Sequence, residues 1–344
     1  MNILSLQKDG KVVFIPQTLE DLWIIKSITD IGDTISGQSF RRTRGNEADS
    51  ESTRKPVFVS LAVEKFDFSV ELNSLRFTGK IVDSKPQELA PIGEHHTLEI
   101  QLNKNYTIVK PQFYQHQLDL LHNNNSAFSV SVLLIALDDE RASIFELTNI
   151  GTNDVATIDS GKHGKRYSGD FDFQEYFTQV FSVVSKFDCQ IIIAGPGATK
   201  TKLSEYIKQR QKEKNILEIN IQNTEKSSIS ELFTKAEVSR FFENSIVYKE
   251  QKVFEQFLEN LGKDNKKVSY GLIEVSKSVD MGACETILIS ESLWKSDVDK
   301  IQELIKRADK QKVKVHIVDD THEVSKSLKS FSGIIAVLRY PLSY

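Results

Sequence analysis

Five basic side chains lie close together in the first third of the sequence: Arg41, Arg42, Arg44, Arg54 and Lys55. Arginine and lysine bind phosphate groups, and the arginine fork does so through two parallel hydrogen bonds. Residues 39–55 are rich in Gly, Ser and Glu, which predicts a loop that connects two strands and could reach into a nucleic-acid groove. The alternative is a solvated loop of mixed charge, because Glu47, Asp49 and Glu51 offset three of the positive charges.

A second basic cluster lies between Gly161 and Gly169. Its members are Lys162, His163, Lys165 and Arg166, and Tyr167 follows them. Glycines make such a segment flexible, while cations and an aromatic ring can contact phosphates and unpaired bases. The pattern predicts RNA binding, and the alternative is a surface loop without a ligand.

Support for metal or acid–base chemistry is confined to three consecutive acids. Asp138, Asp139 and Glu140 could hold Mg²⁺, although such a run at a hairpin tip is typical of a solvated turn. The histidines show no His-Glu-x-x-His spacing, and the two cysteines are too few for a Cys-rich zinc site or a disulfide framework. We assign no catalytic residue and no metal ligand, and keep Asp138 and Asp139 as nuclease candidates.

The string Gly195-Pro196-Gly197 lies between a predicted strand and a predicted helix. A phosphate-binding P-loop needs Gly, four residues, and then Gly-Lys-Ser or Gly-Lys-Thr, and this spacing is absent here. The sequence instead predicts a backbone turn that is presented to a partner protein.

Three folded segments are needed to position these groups. The chain has 344 residues, of which 39% are hydrophobic and 27% are charged, with a formal net charge of −4. Domains typically contain about 100–200 residues. A polar break at residues 122–126 and the element pattern predict domains at 1–123, 124–245 and 246–344, with net charges of −2, −3 and +1. The basic residues are therefore concentrated in loops rather than in one domain.

The first segment is predicted to be a small β-barrel, because many short strands alternate with turns. Apolar residues alternate from Val57 to Val63, and the odd step to Phe66 predicts a bulge near residues 64–65. A short helix is predicted over Leu19–Ile28.

The second and third segments are predicted to mix helices and strands. In the second, we expect a hairpin at 129–147, a strand at 189–194 and helices at 173–184 and 199–214. Ser228 and Glu231 fit a capping box that opens a helix through Phe242. The third alternates helices and strands as an αβα sandwich does, with a helix at 250–261 that ends at Gly262 as its C′ residue.

Membrane and secreted proteins are disfavoured by the sequence. A membrane span needs about 18 consecutive apolar residues, and no such run occurs. The first residues, MNILSLQKDGKVVFIPQ, lack the pattern of a signal peptide. A cytoplasmic protein is expected.

Several strings, taken in order, resemble the Pelota family of ribosome-rescue proteins, which are paralogues of the class 1 release factors. The resemblance covers essentially the whole chain, and the short ending is similar to the archaeal form. The strings are Glu20-Asp21-Leu22-Trp23, Ile31-Gly32-Asp33, Arg41-Arg42, Ile191 to Gly197, Tyr270-Gly271, Glu274-Val275, Gly282 to Thr286, Lys314 to Ile317, His322-Glu323 and Leu338 to Pro341.

The resemblance implies an α+β and α/β multidomain protein. Its order would be an Sm-like β-barrel, a ribonuclease-H-like α/β domain and an L7Ae-like αβα domain. It also implies a tRNA-mimicking, monomeric factor that enters the A site of a stalled ribosome with a GTPase of the elongation-factor 1-alpha class. The factor would then help an ABC-type ATPase to split the subunits during mRNA surveillance.

The resemblance implies contacts only at the positions of this sequence that match the family's motifs. Arg41, Arg42 and Arg44 would reach the decoding centre and mRNA channel, and a central basic loop would lie near the P-site tRNA. Partner proteins would contact two motifs: Gly195, Pro196 and Gly197 in the central domain, and His322 with Glu323 in the last domain. The sequence departs from the family after both motifs, at Ala198 and at Val324-Ser325.

Active release factors carry a Gly-Gly-Gln tripeptide, and this sequence contains none. The resemblance therefore implies rescue without peptidyl-tRNA hydrolysis and without a required cofactor. A second hypothesis is an endoribonuclease that depends on Mg²⁺ or Mn²⁺, an activity attributed to some family members. A third, an active release factor, would be tested by a peptidyl-tRNA hydrolysis assay.

Overall fold

The computed structural model describes residues 1–7, 10–43, 53–69, 72, 74–123, 131–148, 151–161, 173–225, 228–235, 237–238, 242 and 245–342. The chain forms two compact units, Met1–Ala127 and Phe128–Tyr344. Within the described ranges, no helix combines the length and the apolar character that a membrane crossing requires.

The first unit is built on a seven-stranded sheet in which each neighbouring pair is antiparallel. The strand order is β1-β2-β7-β3-β4-β5-β6. The last strand in this order, β6, also contacts β3 and β4, so the sheet curls into the predicted barrel. The strands are β1 Asn2–Gln7, β2 Lys11–Ile15, β3 Thr34–Thr43, β4 Thr53–Ser69, β5 Ser74–Lys85, β6 His95–Ile100 and β7 Tyr106–Val109.

The long strand β4 supplies the bend that closes this barrel. Val57, Val59, Leu61 and Val63 are all buried, as their alternation predicts. The register against β5 shifts between Ser60 and Leu61, and again between Val63 and Lys65. The second shift confirms the predicted bulge, and bulges increase the local bend and twist of a strand.

Two helices, α1 (Leu19–Ile28) and α2 (Gln115–Asn123), contact each other beside the barrel. The first helix occupies the predicted residues and begins with a capping box. The backbone N–H of Asp21 donates to Oγ1 of Thr18, and the N–H of Thr18 donates to the Asp21 carboxylate. Leu22, Ile25 and Ile28 are fully buried, so this helix closes one side of the core.

The second unit begins with a five-stranded sheet of order β10-β9-β8-β11-β12. The first three strands are antiparallel, whereas β11 runs parallel to both β8 and β12, as in the ribonuclease-H-like arrangement expected. The elements are β8 Val132–Leu137, β9 Arg141–Leu147, β10 Thr152–Asp159, α3 Gln174–Val184, β11 Gln190–Ala194, α4 Thr199–Arg210, β12 Ile216–Ile219 and α5 Ser228–Phe233.

Strand β8 forms the centre of this sheet, and all six of its residues are buried. Leu134 and Ile192 belong to one core, whereas Leu133 and Ile193 belong to the core on the opposite face. Helices α3 and α4 cover the second face with Phe177, Val180, Leu203 and Ile207. A continuous apolar run is therefore the correct pattern for a strand that is covered on both sides.

Two predicted helices in this region are shorter than expected. Helix α4 ends at Arg210 rather than near Lys214, because the chain must turn into β12, a strand that the sequence pattern did not predict. Helix α5 ends at Phe233 rather than running to Phe242. The Glu231 carboxylate accepts the backbone N–H of Gln222 at 2.9 Å, so it ties the preceding loop to this helix.

The rest of the second unit is a four-stranded sheet with helices on both faces, which confirms the αβα sandwich. Its order is β13-β16-β14-β15, in which β14 and β15 are parallel and β16 is antiparallel to β13 and β14. The elements are α6 Ile246–Gly262, β13 Val268–Tyr270, α7 Leu272–Asp280, β14 Cys284–Ser290, α8 Glu291–Ser296, α9 Val298–Lys310, β15 Lys314–Val318, α10 Glu323–Leu328 and β16 Ile334–Leu338.

Helix α6 differs from its prediction at both ends. It begins four residues earlier than predicted, at Ile246, where the Ser245 hydroxyl accepts the N–H of Tyr248. Gly262 is the last helical residue rather than the C′ residue, and Asp264 adopts the left-handed conformation, with a φ of 47°. Phe257 of this helix is fully buried against Leu288 and Val324, which anchors α6 to one face of the sheet.

Candidate functional site

The first basic cluster lies on the β3–β4 hairpin. Arg41 stands opposite Lys55 and Arg42 stands opposite Arg54, so four of the five residues belong to the paired strands. This corrects the expectation that they lie in the connecting loop. Arg44 falls outside the described residues. Arg54 and Lys55 are exposed and remain accessible for phosphate contacts.

Arg41 makes contacts within the barrel. One guanidinium nitrogen lies 2.6 Å from a carboxylate oxygen of Glu94 and 3.3 Å from the carbonyl oxygen of Leu89. The other terminal nitrogen lies 3.3 Å from the carbonyl oxygen of His95. The Arg41 side chain is only 20% exposed. The structure thus gives Arg41 a positioning role, holding the hairpin against the segment that leads into β6.

His96 lies on the strand next to this contact. Its Nε2 atom lies 2.8 Å from Oγ of Ser39. Burial, together with the nearby Arg41 guanidinium, holds the pKa of the imidazole below its ordinary value of 6.5. Burial and the permanent charge of Arg41 therefore favour the neutral form of His96.

The second basic cluster falls outside the described residues. This applies to Lys162, His163, Lys165 and Arg166. The structure describes the residues that bracket it, Gly161 after β10 and Phe173 before α3. The RNA-binding prediction for these four residues stays a prediction.

The Gly195-Pro196-Gly197 turn joins β11 to α4, as the sequence predicts. A Cβ atom on Gly195 would lie 1.9 Å from the carbonyl oxygen of Leu137, so no larger residue fits there without backbone movement. Gly197 has a φ of +66°, which favours glycine. The Lys200 ammonium donates to the carbonyl oxygen of Gly197. Pro196, Gly197 and Ala198 are exposed, so the backbone of this turn is accessible to solvent.

Asp138 and Asp139 brace the neighbouring β8–β9 hairpin and link it to this turn. One carboxylate oxygen of Asp138 accepts the backbone N–H groups of Glu140 and Arg141, each at 2.8 Å. The Asp139 carboxylate accepts the hydroxyl proton of Thr199, the first residue of α4. Both carboxylates are engaged in holding the hairpin and the turn in place, so the nuclease alternative gains no support.

Tyr176 completes this arrangement from α3. Its hydroxyl donates to the carbonyl oxygen of Asp138 at 3.3 Å. Burial is the largest cause that raises the pKa of Tyr176, and the charges of Asp138, Asp139 and Asp159 raise it further. In the described part of the chain, no group of three or more His, Cys, Asp or Glu residues could hold a metal ion.

His322 is buried inside the second unit, which does not fit its expected contact with a partner. Its Nδ1 atom lies 2.7 Å from Oε2 of Glu250, and the two side chains are 2% and 1% exposed. The pair joins the start of α10 to α6. Glu323 is about half exposed and forms an ion pair with Lys326 at 3.0 Å. Of the predicted pair, only Glu323 faces solvent.

Sequence reasoning missed Glu250 because its partner lies 72 residues further along the chain. It also missed Lys200, whose side chain is buried against the turn. One signal was present in each case. Glu250 falls on the buried stripe of an amphipathic helix, and Lys200 stands three residues after the left-handed Gly197.

Comparison with known families agrees with this architecture. Residues 1–125 match the family described as the Pelota N-terminal domain, and residues 247–342 match the family described as eRF1 domain 3. A curated relative, the protein pelota homolog of Thermococcus onnurineus, is 30% identical over 348 residues, covering 97% of each chain. The homolog from Methanococcus vannielii is 29% identical over 349 residues and covers 99% of each chain.

Solved structures share the fold. The Pelota protein of Thermoplasma acidophilum superposes with a TM-score of 0.80 at 22% identity, covering 99% of this chain and all of that one. Dom34 of S. cerevisiae, described as a translation termination-like factor that interacts with Hbs1, has a TM-score of 0.54 at 20% identity and covers 99% of each chain. The sequence matches and the common fold together show that this chain belongs to the Pelota family.

Proposed function

We propose that this chain is a ribosome rescue factor. It enters the empty A site of a stalled ribosome and promotes separation of the subunits during mRNA surveillance, without hydrolysing peptidyl-tRNA. The observation that carries this proposal is similarity to Pelota proteins along almost the whole chain, combined with the absence of Gly-Gly-Gln from the sequence. Hydrolysis needs a water molecule held at the ester by that tripeptide, and large rate factors depend on such positioning.

The proposed RNA contacts lie in the two basic clusters. In the first, Arg54 and Lys55 are exposed on β4, while Arg41 holds the hairpin in position. Phosphate contacts by lysine and arginine orient a protein on RNA without reading its sequence. We assign RNA contacts to Arg42, Arg44, Arg54, Lys55, Lys162, His163, Lys165 and Arg166.

The proposed partner proteins are a GTPase of the elongation-factor 1-alpha class and an ABC-type recycling ATPase. The exposed corner at Pro196 and Gly197 supports a docking role, since hydrogen bonds from Thr199 and Lys200 hold it from behind. Dom34, which shares the fold, interacts with Hbs1. Glu323 is the second proposed contact, whereas His322 is assigned to the interior.

The proposed organisation is three domains at residues 1–123, 124–245 and 246–344, in a cytoplasmic monomer that needs no metal or other cofactor for rescue. Support comes from the three separate sheets that the described residues form and from family matches at the two ends of the chain. Binding and shape, rather than bond making, then account for the activity.

The decisive experiment is a subunit-splitting assay. Ribosomes stalled with an empty A site are mixed with the purified chain, its GTPase and the recycling ATPase, and sucrose gradients measure free subunits. We expect splitting that needs all three proteins and no release of the nascent peptide. Co-sedimentation with stalled ribosomes, with and without the GTPase and a GTP analogue, measures recruitment separately.

A matched pair of variants sharpens this test. Replacing Arg54 and Lys55 by alanine should weaken ribosome association and reduce its salt dependence, because fewer counterions are released. Replacing Lys65 and Lys80, two exposed lysines on the same barrel, removes the same charge and should have little effect. Failure of the wild-type chain to split ribosomes, or peptide release by the chain alone, would contradict the proposed function.

A further inference from the structure

A groove with a volume of about 560 Å³ crosses one end of the barrel in the first unit. Ligand sites usually have volumes of about 300–1,000 Å³. Three side chains follow one another across the strands that line it. Gln38 on β3 pairs with Phe58 on β4, and Phe58 pairs with Lys85 on β5. Because directly paired residues project to the same face, these side chains form a single transverse row.

The turn before β7 extends this row on the other side of β3. Tyr106 pairs with Gly37 of β3 and with Phe14 of β2, which brings the preceding Asn105 next to Gln38. The backbone N–H of Asn103 donates to the carbonyl oxygen of Pro16 at 2.7 Å, and Asn103 adopts a φ of 61°. This turn is therefore fixed against the end of β2, with Lys104 exposed at the groove.

Phe58 is exposed where its strand offers no packing reason for an aromatic residue. Its neighbours Val57 and Val59 point into the core and are 2% and 0% exposed, whereas Phe58 is 45% exposed. Phe40 is 52% exposed and pairs with Pro56, so it lies diagonally next to Phe58 on the same face. Aromatic rings on an open sheet face are a common platform on which unpaired bases stack.

The polar groups around this ring have the chemistry of nucleic-acid recognition. The nine lining residues include two lysines, Lys85 and Lys104, and no acidic residue. Three amide side chains are also present, from Gln38, Asn103 and Asn105. Lysines at the two sides can hold phosphates, the ring can stack on a base, and amides can bond to base edges.

We propose that this groove is a binding site for single-stranded RNA. It shares strands β3 and β4 with the first basic cluster but is lined by other residues. The strand would pass across Phe58, with phosphates at Lys85 and Lys104. Double-stranded RNA does not fit this chemistry, because its bases are already stacked and paired. The proposal rests on the proposed function for its setting, since a ribosome ligand meets unpaired RNA in the stalled complex.

The test measures fluorescence anisotropy of a labelled oligouridine of about 12 nucleotides, within the range of known single-strand sites. The full chain is titrated at several salt concentrations from about 50 to 200 mM. We expect the wild-type chain to bind this probe more tightly than a duplex RNA of equal length. Phe58→Ala should weaken binding about tenfold, and Phe58→Trp should restore it, because stacking needs only an aromatic face.

Charge variants test the same groove independently. For single strands, each lost phosphate contact lowers the magnitude of the negative slope of log K against log salt by about 0.7, so Lys85→Ala with Lys104→Ala should lower that magnitude by about 1.4. Lys65→Ala with Lys80→Ala is the matched control and should leave the slope unchanged. Ile31→Ala, at a residue that is 71% exposed on the same unit, controls for loss of apolar surface.

Three outcomes would overturn the proposal. The first is a wild-type chain that shows no preference for the single strand, and the second is a set of groove variants that bind like the controls. The third is a loss of ribosome splitting in groove variants that keep their oligouridine affinity, which would make the groove a docking site for protein. Oligouridine binding through the groove by a chain that cannot split ribosomes would uphold this inference and reject the proposed function.

Discussion

Nδ1 of His322 lies 2.7 Å from Oε2 of Glu250, and both side chains are buried where α10 begins against α6. The other carboxylate oxygen, Oε1 of Glu250, has no hydrogen-bond partner among the described atoms. The histidine is therefore the contact that compensates for burying this carboxylate. A residue expected to bind a partner holds two helices of the second unit together.

Removing His322 should destabilise the second unit strongly. His322→Ala leaves the Glu250 carboxylate buried without this partner, and breaking a buried pair in this way typically costs about 3–5 kcal/mol. Denaturant unfolding of the full chain, followed by circular dichroism, measures the loss. Glu323→Ala removes an exposed pair with Lys326 and should change stability by less than about 0.5 kcal/mol.

A double substitution checks the cause of this effect. Replacing both Glu250 and His322 by leucine removes the buried carboxylate together with its partner. Apolar replacement of a whole buried pair is often neutral, so the double variant should recover part of the stability that His322→Ala loses. Equal or greater destabilisation in the double variant would show that packing, not the uncompensated carboxylate, explains the loss.

The destabilisation caused by three glycine substitutions should follow the space around each Cβ position and the backbone φ. Gly195→Ala would place its methyl 1.9 Å from the Leu137 carbonyl oxygen, so we expect a loss of about 3 kcal/mol or more. Gly197→Ala meets no atom within 4 Å but retains a φ of +66°, which should cost about 1–2 kcal/mol. Gly151→Ala has open space and serves as the control. Thermal unfolding gives the order, and a harmless Gly195→Ala would contradict it.

Variants of Arg41 and of its neighbours on the hairpin should differ in whether they affect stability or ribosome binding. Arg41→Ala loses contacts to Glu94, Leu89 and His95, and should lower the stability of the first unit by about 1 kcal/mol. The Arg54→Ala and Lys55→Ala double variant removes exposed cations and should leave stability within about 0.5 kcal/mol. Thermal unfolding and ribosome co-sedimentation are measured for the wild-type chain, Arg41→Ala and the double variant. Together they test whether Arg41 has a positioning role. The reverse ranking in the melts would reject a positioning role for Arg41.

Acidification should destabilise the first unit through His96. The folded pKa of this group lies below 6.5, so the unfolded chain takes up a proton first as the pH falls. The stability that the neutral imidazole provides is therefore present above about pH 6.5 and is lost as the pH falls below it. His96→Gln should show a weaker loss than the wild-type chain over this range.

An NMR titration of the imidazole checks the cause of that shift. Burial is the larger cause and the Arg41 charge is the second, so Arg41→Ala should raise the pKa of His96 without restoring its ordinary value. An unchanged pKa in Arg41→Ala would exclude the arginine as a cause.

The two thiols should differ in reactivity. Burial raises the pKa of Cys284 to about 12, and this residue is fully buried in β14. Cys189 is half-buried, and burial also raises its pKa. Alkylation of the folded chain near neutral pH should label Cys189 slowly and Cys284 only after unfolding, because the thiolate is the reactive form. Mass spectrometry of the labelled peptides gives the order, and early labelling of Cys284 would contradict its burial.

Local patterns predicted the elements that depend on local physics. Alternation from Val57 to Val63 located β4 and its bulge, and the continuous run at residues 191–194 located β11, because the side-chain period of a strand is visible in sequence. Gly195 and Gly197 marked a turn for a comparable reason. Each needs a backbone position that other residues tolerate poorly.

Pairings between distant residues could not be predicted in this way. Arg41 meets Glu94 across 53 positions, and His322 meets Glu250 across 72. In a segment with the composition of a loop, the sequence does not distinguish a charged side chain that binds phosphate from one that holds a neighbouring strand. The groove at Phe58 likewise draws its residues from several strands, and only the register brings them into one row.

The parallel pairing of β8 with β11 has a consequence for how the second unit forms. Strand β8 is buried along its whole length, and β11 pairs with one of its edges. The last residue of β11, Ala194, follows the last residue of β8, Leu137, by 57 positions. During synthesis at about 5–20 residues per second, that edge of β8 stays unpaired for roughly 3–11 s before β11 has been made. The nascent chain therefore exposes an unpaired apolar strand edge for seconds, an interval in which it is open to association with other chains and to chaperones.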